Sequence, residues 1–109
     1  MLFRSKTYVL KSGNYEAPGD EVAPGFLSIL DPSDVTAQHG RRAALANWMA
    51  SPTNPLTARV MVNRVWHHVF GAGLVRSVDN FGKLGEASSH PELLDWLAAK
   101  FIADGWSVK

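Results

Sequence analysis

One stretch, residues 54–75, limits what this chain can become more than any other. It reads Asn54-Pro55-Leu56-Thr57-Ala58-Arg59-Val60-Met61-Val62-Asn63-Arg64-Val65-Trp66-His67-His68-Val69-Phe70-Gly71-Ala72-Gly73-Leu74-Val75. Asn54 suits an N-cap, because its side-chain carbonyl can accept from a first-turn amide, and Pro55 suits N1, where no amide is needed. Gly71 suits the left-handed position just past a helix end. At about 100° per residue, Ala58, Met61, Val62, Val65, Trp66, Val69 and Phe70 share a broad arc, with Leu56 and Val60 beyond its far edge. The pattern predicts a central helix covered on most sides. The remaining arc carries Thr57, Asn63, Arg64, His67 and His68, while Arg59 falls inside the apolar arc.

Two further helices are expected around it. Residues 41–50 place Ala44, Leu45, Trp48 and Met49 on one face among good helix formers, and Ser51-Pro52 ends the run. The linker of residues 51–54 is short enough for helices that neighbour each other. A helix-turn-helix reading is disfavoured, since the second helix is too apolar to enter a groove of DNA. Ser89-His90-Pro91-Glu92 has the spacing of a capping box and opens a third helix, whose stripe is Leu93, Leu94, Leu97, Ala98 and Phe101. Trp96 and Ile102 flank that stripe, Glu92, Asp95 and Lys100 face out or pair, and Gly105 closes the helix. Between the second and third helices, residues 76–88 read as loop, anchored to the core by Phe81.

The N-terminal part is different in kind. Residues 6–11, with Tyr8-Val9-Leu10, are β-prone and run into the turn Ser12-Gly13-Asn14, which predicts a short strand or extended arm. Pro18-Gly19 and Pro24-Gly25 mark residues 14–25 as loop. Phe26, Leu27, Ile29 and Leu30 form an apolar clip before Asp31-Pro32, where the proline disfavours helix. The expected architecture is therefore mainly α: about three packed helices with an N-terminal extended arm or short strand and a long Pro/Gly loop. We divide it as residues 1–35, arm and loop, and residues 36–109, helical core. Trp106-Ser107-Val108-Lys109 stops in mid-phrase, and the natural chain is expected to continue at both ends.

Composition narrows the functional classes. A hydrophobic content of 46% over 109 residues can build a core. Eleven basic against ten acidic side chains create no broad field to steer the chain onto nucleic acid or an anionic membrane. The absence of cysteine rules out disulfides, thiolate metal sites and covalent haem attachment within this segment. No apolar run approaches the roughly 18 residues of a membrane span.

Arg59, Asn63 and His67 recur every four residues and so form a polar stripe on an otherwise apolar helix. Such groups need partners. Arg59 can pair with a carboxylate among Asp79, Glu86, Glu92 and Asp95, while Asn63 ties a loop to the helix. In the rival reading Arg59, Asn63, His67 and Asp79 wall a cleft for a carboxylate, sulfate or sugar. His67 and His68 diverge by about 100° on a helix and do not chelate one ion together, so no metal site is expected. Ser88, Ser89, His90 and Asp95 are the residue types of nucleophilic catalysis, but no nucleophile-elbow sequence accompanies them. The four tryptophans, one per helical segment and the last at Trp106, read as a shared aromatic core rather than a stacking platform.

Several long motifs in one order carry a family resemblance. Arg41-Arg42-Ala43-Ala44-Leu45-Ala46-Asn47-Trp48, Asn54-Pro55-Leu56-Thr57-Ala58-Arg59-Val60-Met61-Val62-Asn63-Arg64-Val65-Trp66 and Ser89-His90-Pro91-Glu92-Leu93-Leu94-Asp95-Trp96-Leu97-Ala98 resemble the planctomycete-type domain of unknown function. That domain accompanies planctomycete cytochrome c domains in large exported proteins. The resemblance runs from about Tyr8 to Lys109 and includes Asn14-Tyr15-Glu16-Ala17-Pro18-Gly19-Asp20-Glu21-Val22 and Gly105-Trp106-Ser107. It departs at His67, where glutamine is common, at Val69 (histidine), Ala72 (arginine) and Asn80 (aspartate). The resemblance implies no reaction. It implies an extracytoplasmic bacterial protein, a structural or interaction module, and haem only on a separate domain of the full-length protein. It also implies other domains of the same protein as partners, or a carbohydrate ligand, since such proteomes are rich in machinery for sulfated polysaccharides. The rival class is a carbohydrate-acting hydrolytic or redox enzyme domain with a polar cleft.

Overall fold

The computed structural model describes residues 6–30 and 40–109. The chain forms two compact units, Met1–Ala44 and Leu45–Lys109. The expected boundary between residues 35 and 36 and the Asp31-Pro32 break lie outside the described residues.

In the first unit, strand β1 (Thr7–Leu10) pairs antiparallel with β2 (Pro18–Val22), matching Thr7 with Val22 and Tyr8 with Glu21. The second strand corrects the reading of residues 14–25 as loop. Pro18 and Gly19 do not break the sheet because the register shifts between Tyr8 and Leu10 where they pair, and proline is tolerated at a strand start or a bulge. The connection is a 3-10 turn, Lys11–Gly13, followed by an Asx turn in which the Glu16 amide donates to Asn14 Oδ1 at 3.0 Å. Lys6 pairs with Glu21 at 2.9 Å across the strands. Leu27 and Ile29 are exposed rather than packed, so residues 26–30 turn back without forming the apolar clip; the Leu30 amide donates to Leu27 O at 2.9 Å.

Helix α1 (Arg41–Met49) begins where expected, but only Ala44 and Trp48 of its apolar face are half-buried, while Leu45 and Met49 are exposed. Helix α2 (Thr57–Phe70) and helix α3 (Pro91–Ala103) pack on each other in the second unit. Helix α2 starts at Thr57 with Leu56 as its N-cap residue, two residues later than the expected cap at Asn54 with Pro55 at N1. Asn54 Oδ1 nonetheless accepts from the amides of Leu56, at 3.0 Å, and Thr57, at 3.4 Å, and so caps the turn that leads into the helix. At the far end Gly71 sits at φ 85° and donates to His67 O. The left-handed position there strains any side chain with a Cβ.

The capping box at α3 does not form. His90 is the N-cap, and Ser89 Oγ lies 3.0 Å from His90 Nδ1 instead of reaching the Glu92 amide. The reason is that the Ser89 backbone is held elsewhere: its amide donates to Leu74 O at 2.8 Å. This tie puts Ser89 beside the buried Leu74-Val75 segment, and the helix starts with Pro91 at N1. At the other end Trp106 N donates to Phe101 O and Gly105 N to Ile102 O. These are the paired bonds of a Schellman motif, accompanied by the expected apolar contact, Phe101 against Trp106 with ring centres 5.2 Å apart.

The core of the second unit is small. Leu74, Val75 and Leu94 are buried together, with Val62, Trp66, Phe81, Leu93 and Leu97 packed around them. Phe81 thus anchors the loop as expected. The loop itself is built on Ser77, whose hydroxyl donates to Asn80 O at 2.9 Å and accepts from the Glu86 amide at 2.8 Å. Among the described residues no helix is long and apolar enough to cross a membrane.

Candidate functional site

Of the polar stripe on α2, Asn63 lies inside the fold, while Arg59 and His67 are half-buried. Asn63 has no exposed surface at all and is the largest fully buried side chain among the described residues. Its amide donates from Nδ2 to Val75 O at 2.9 Å, and its Oδ1 accepts from Val75 N at 2.8 Å. The side chain does for Val75 what a neighbouring strand would do, so both buried backbone groups are satisfied. With the Ser89 amide on Leu74 O, residues 74 and 75 are pinned from both sides. Gly73 is required for this approach. A Cβ there would lie 2.5 Å from Val75 O and 2.9 Å from both Asn63 Nδ2 and Oδ1, inside van der Waals contact.

Arg59, one turn earlier, crosses to α3. Its Nε donates to Asp95 Oδ1 at 2.7 Å and its Nη1 to Pro55 O at 2.5 Å. Of the four carboxylates open to it, Asp95 is therefore the partner. The side chains are 35% and 58% exposed, so this is a surface bridge, worth about 0–1 kcal/mol. His67, one turn after Asn63, is half-buried, with Nδ1 buried and lacking a hydrogen-bond partner. Its ring meets His68 edge-on at 5.5 Å. Asp79 pairs with Arg64, not with the stripe, and its side chain is 88% exposed. Among the described residues, no hydrogen bond or ion pair joins any two of Arg59, Asn63, His67 and Asp79.

The residue types of nucleophilic catalysis are also scattered. Ser89 and His90 touch at an exposed position, but Asp95, the acid that would orient the imidazole, is held by Arg59. Ser88 Oγ is buried without a partner. Among the described residues no three His, Asp or Glu side chains are placed to share a metal ion.

A concave apolar surface lies along α2 next to the stripe, toward its C-terminal end. An apolar groove of about 300 Å³ runs between α2 and α3, with Val62, Val65, Trp66, Val69 and Phe70 on one wall and Trp96, Leu97, Lys100 and Phe101 on the other. Asp104, Ser107 and Val108 complete it. Trp66 and Phe70 meet at a tilt of 43°, with ring centres 4.3 Å apart, while Trp96 stands exposed on the opposite wall. The expectation of four core tryptophans fails at Trp96. Sequence reasoning missed the groove because it assigned every apolar residue of the α2 arc to the interior. The available signal was the excess: an apolar arc this wide needs more cover than one neighbouring helix can supply.

Comparison with curated proteins and comparison with solved structures each return no match. A family model matches residues 41–109, from the first turn of α1 through α2, the Asn63 tie and α3. That match covers more than half of the chain, which therefore belongs to PSD1, the family of proteins of unknown function (DUF1553).

Proposed function

We propose that this chain is a structural and interaction module rather than a catalytic one, and that the α2/α3 groove is its working surface. One observation carries the reading. Two polar groups of the α2 stripe are engaged within the fold, Asn63 on Val75 and Arg59 on Asp95, whereas Val69, Phe70, Trp96 and Val108 stand 59 to 67% exposed around one groove. Contiguous apolar surface of that kind marks sites of association. The wider setting, a large exported protein with haem on a separate cytochrome c domain, rests on the motif resemblance described above.

The reading is tested by placing a photoreactive benzophenone side chain at position 96, and as a control at Asp79, in the protein as the cell makes it. Irradiation should cross-link position 96 to a defined protein surface and leave position 79 unlinked. The 109-residue chain is screened in parallel against neutral, sulfated and uronic oligosaccharides by calorimetry. No cross-link from position 96, together with saturable sugar binding that Arg59→Met abolishes, would overturn the module in favour of a polar ligand cleft.

A further inference from the structure

We draw no further inference here: the strongest candidate, the apolar groove between α2 and α3 lined by Trp66, Phe70, Trp96 and Phe101, belongs to the site already described, and nothing in the structure shows what covers it.

Discussion

The first two turns of α2 and its last turn reverse the usual distribution of polarity. The first two present Asn63, an amide with no solvent exposure, and Arg59, tied to Asp95. The last presents Val69 and Phe70, both largely exposed. Burying an amide is tolerable only when its hydrogen bonds are replaced, and Val75 replaces two of them. The apolar last turn has no such compensation, and association would remove it from water. Polarity therefore locates the architecture in the first turns of this helix and the unfilled surface around its last.

If that contrast is right, substitutions in the two regions should differ widely in cost, beginning with Asn63. Asn63→Leu keeps the branched outline but strands the amide and carbonyl of Val75 in the core, and should lose about 3 to 5 kcal/mol, measured as a fall in urea midpoint. That is a large share of the roughly 5 to 15 kcal/mol available to a small domain. Gly73→Ala should follow at about 2 kcal/mol, because its new Cβ runs into the Val75 carbonyl oxygen and then the Asn63 amide. Most of the penalty should persist when Asn63→Ala is already present, since the nearest contact is to backbone; a double-mutant cycle measures the share that the Asn63 side chain carries.

Arg59→Met comes next. Partial exposure of the pair limits the loss to about 1 kcal/mol, and added salt should narrow the gap from wild type further. A loss of several kcal/mol would mean that the bridge behaves as a buried pair and that the groove, not the stripe, is the better covered side. Smallest is Trp96→Ser, expected to change the stability of the monomeric chain by about 0.5 kcal/mol or less, with thermal melts at low concentration as the check. A marked destabilisation there would make Trp96 part of the core and erase the contrast.

How much of this could be read from residues alone depends on where local rules decide. The ends of α2 could be read: Asn54 and Gly71 act through their own side chain and backbone. The loop anchor Phe81 could be read, and so could the need of Asn63 for a loop partner, because an amide in an apolar helix has few alternatives. The side of α2 that faces inward could not. A hydrophobic arc assigns the interior by residue type, whereas the bonds to Val75 draw Asn63 into it and leave Val69 and Phe70 outside. The box at Ser89 failed for a related reason, since its spacing is local but its amide is held by Leu74, fifteen residues earlier. Strand β2 was hidden because proline and glycine mark turns, and only the partner strand reveals that these two sit at an irregular register. The groove, where the functional proposal rests, was hidden because exposure is a property of what is missing around a helix.

The most direct test of this account is the hydrogen exchange of the Val75 backbone amide. Asn63 Oδ1 accepts that amide in a fully buried position, so the account predicts exchange only through global unfolding, as slow as the slowest amides in the middle of α2. It also predicts acceleration of several orders of magnitude in Asn63→Ala. A Val75 amide that exchanges in wild type at the rate of an open loop would contradict the claim that the polar first turns of α2 hold this fold together.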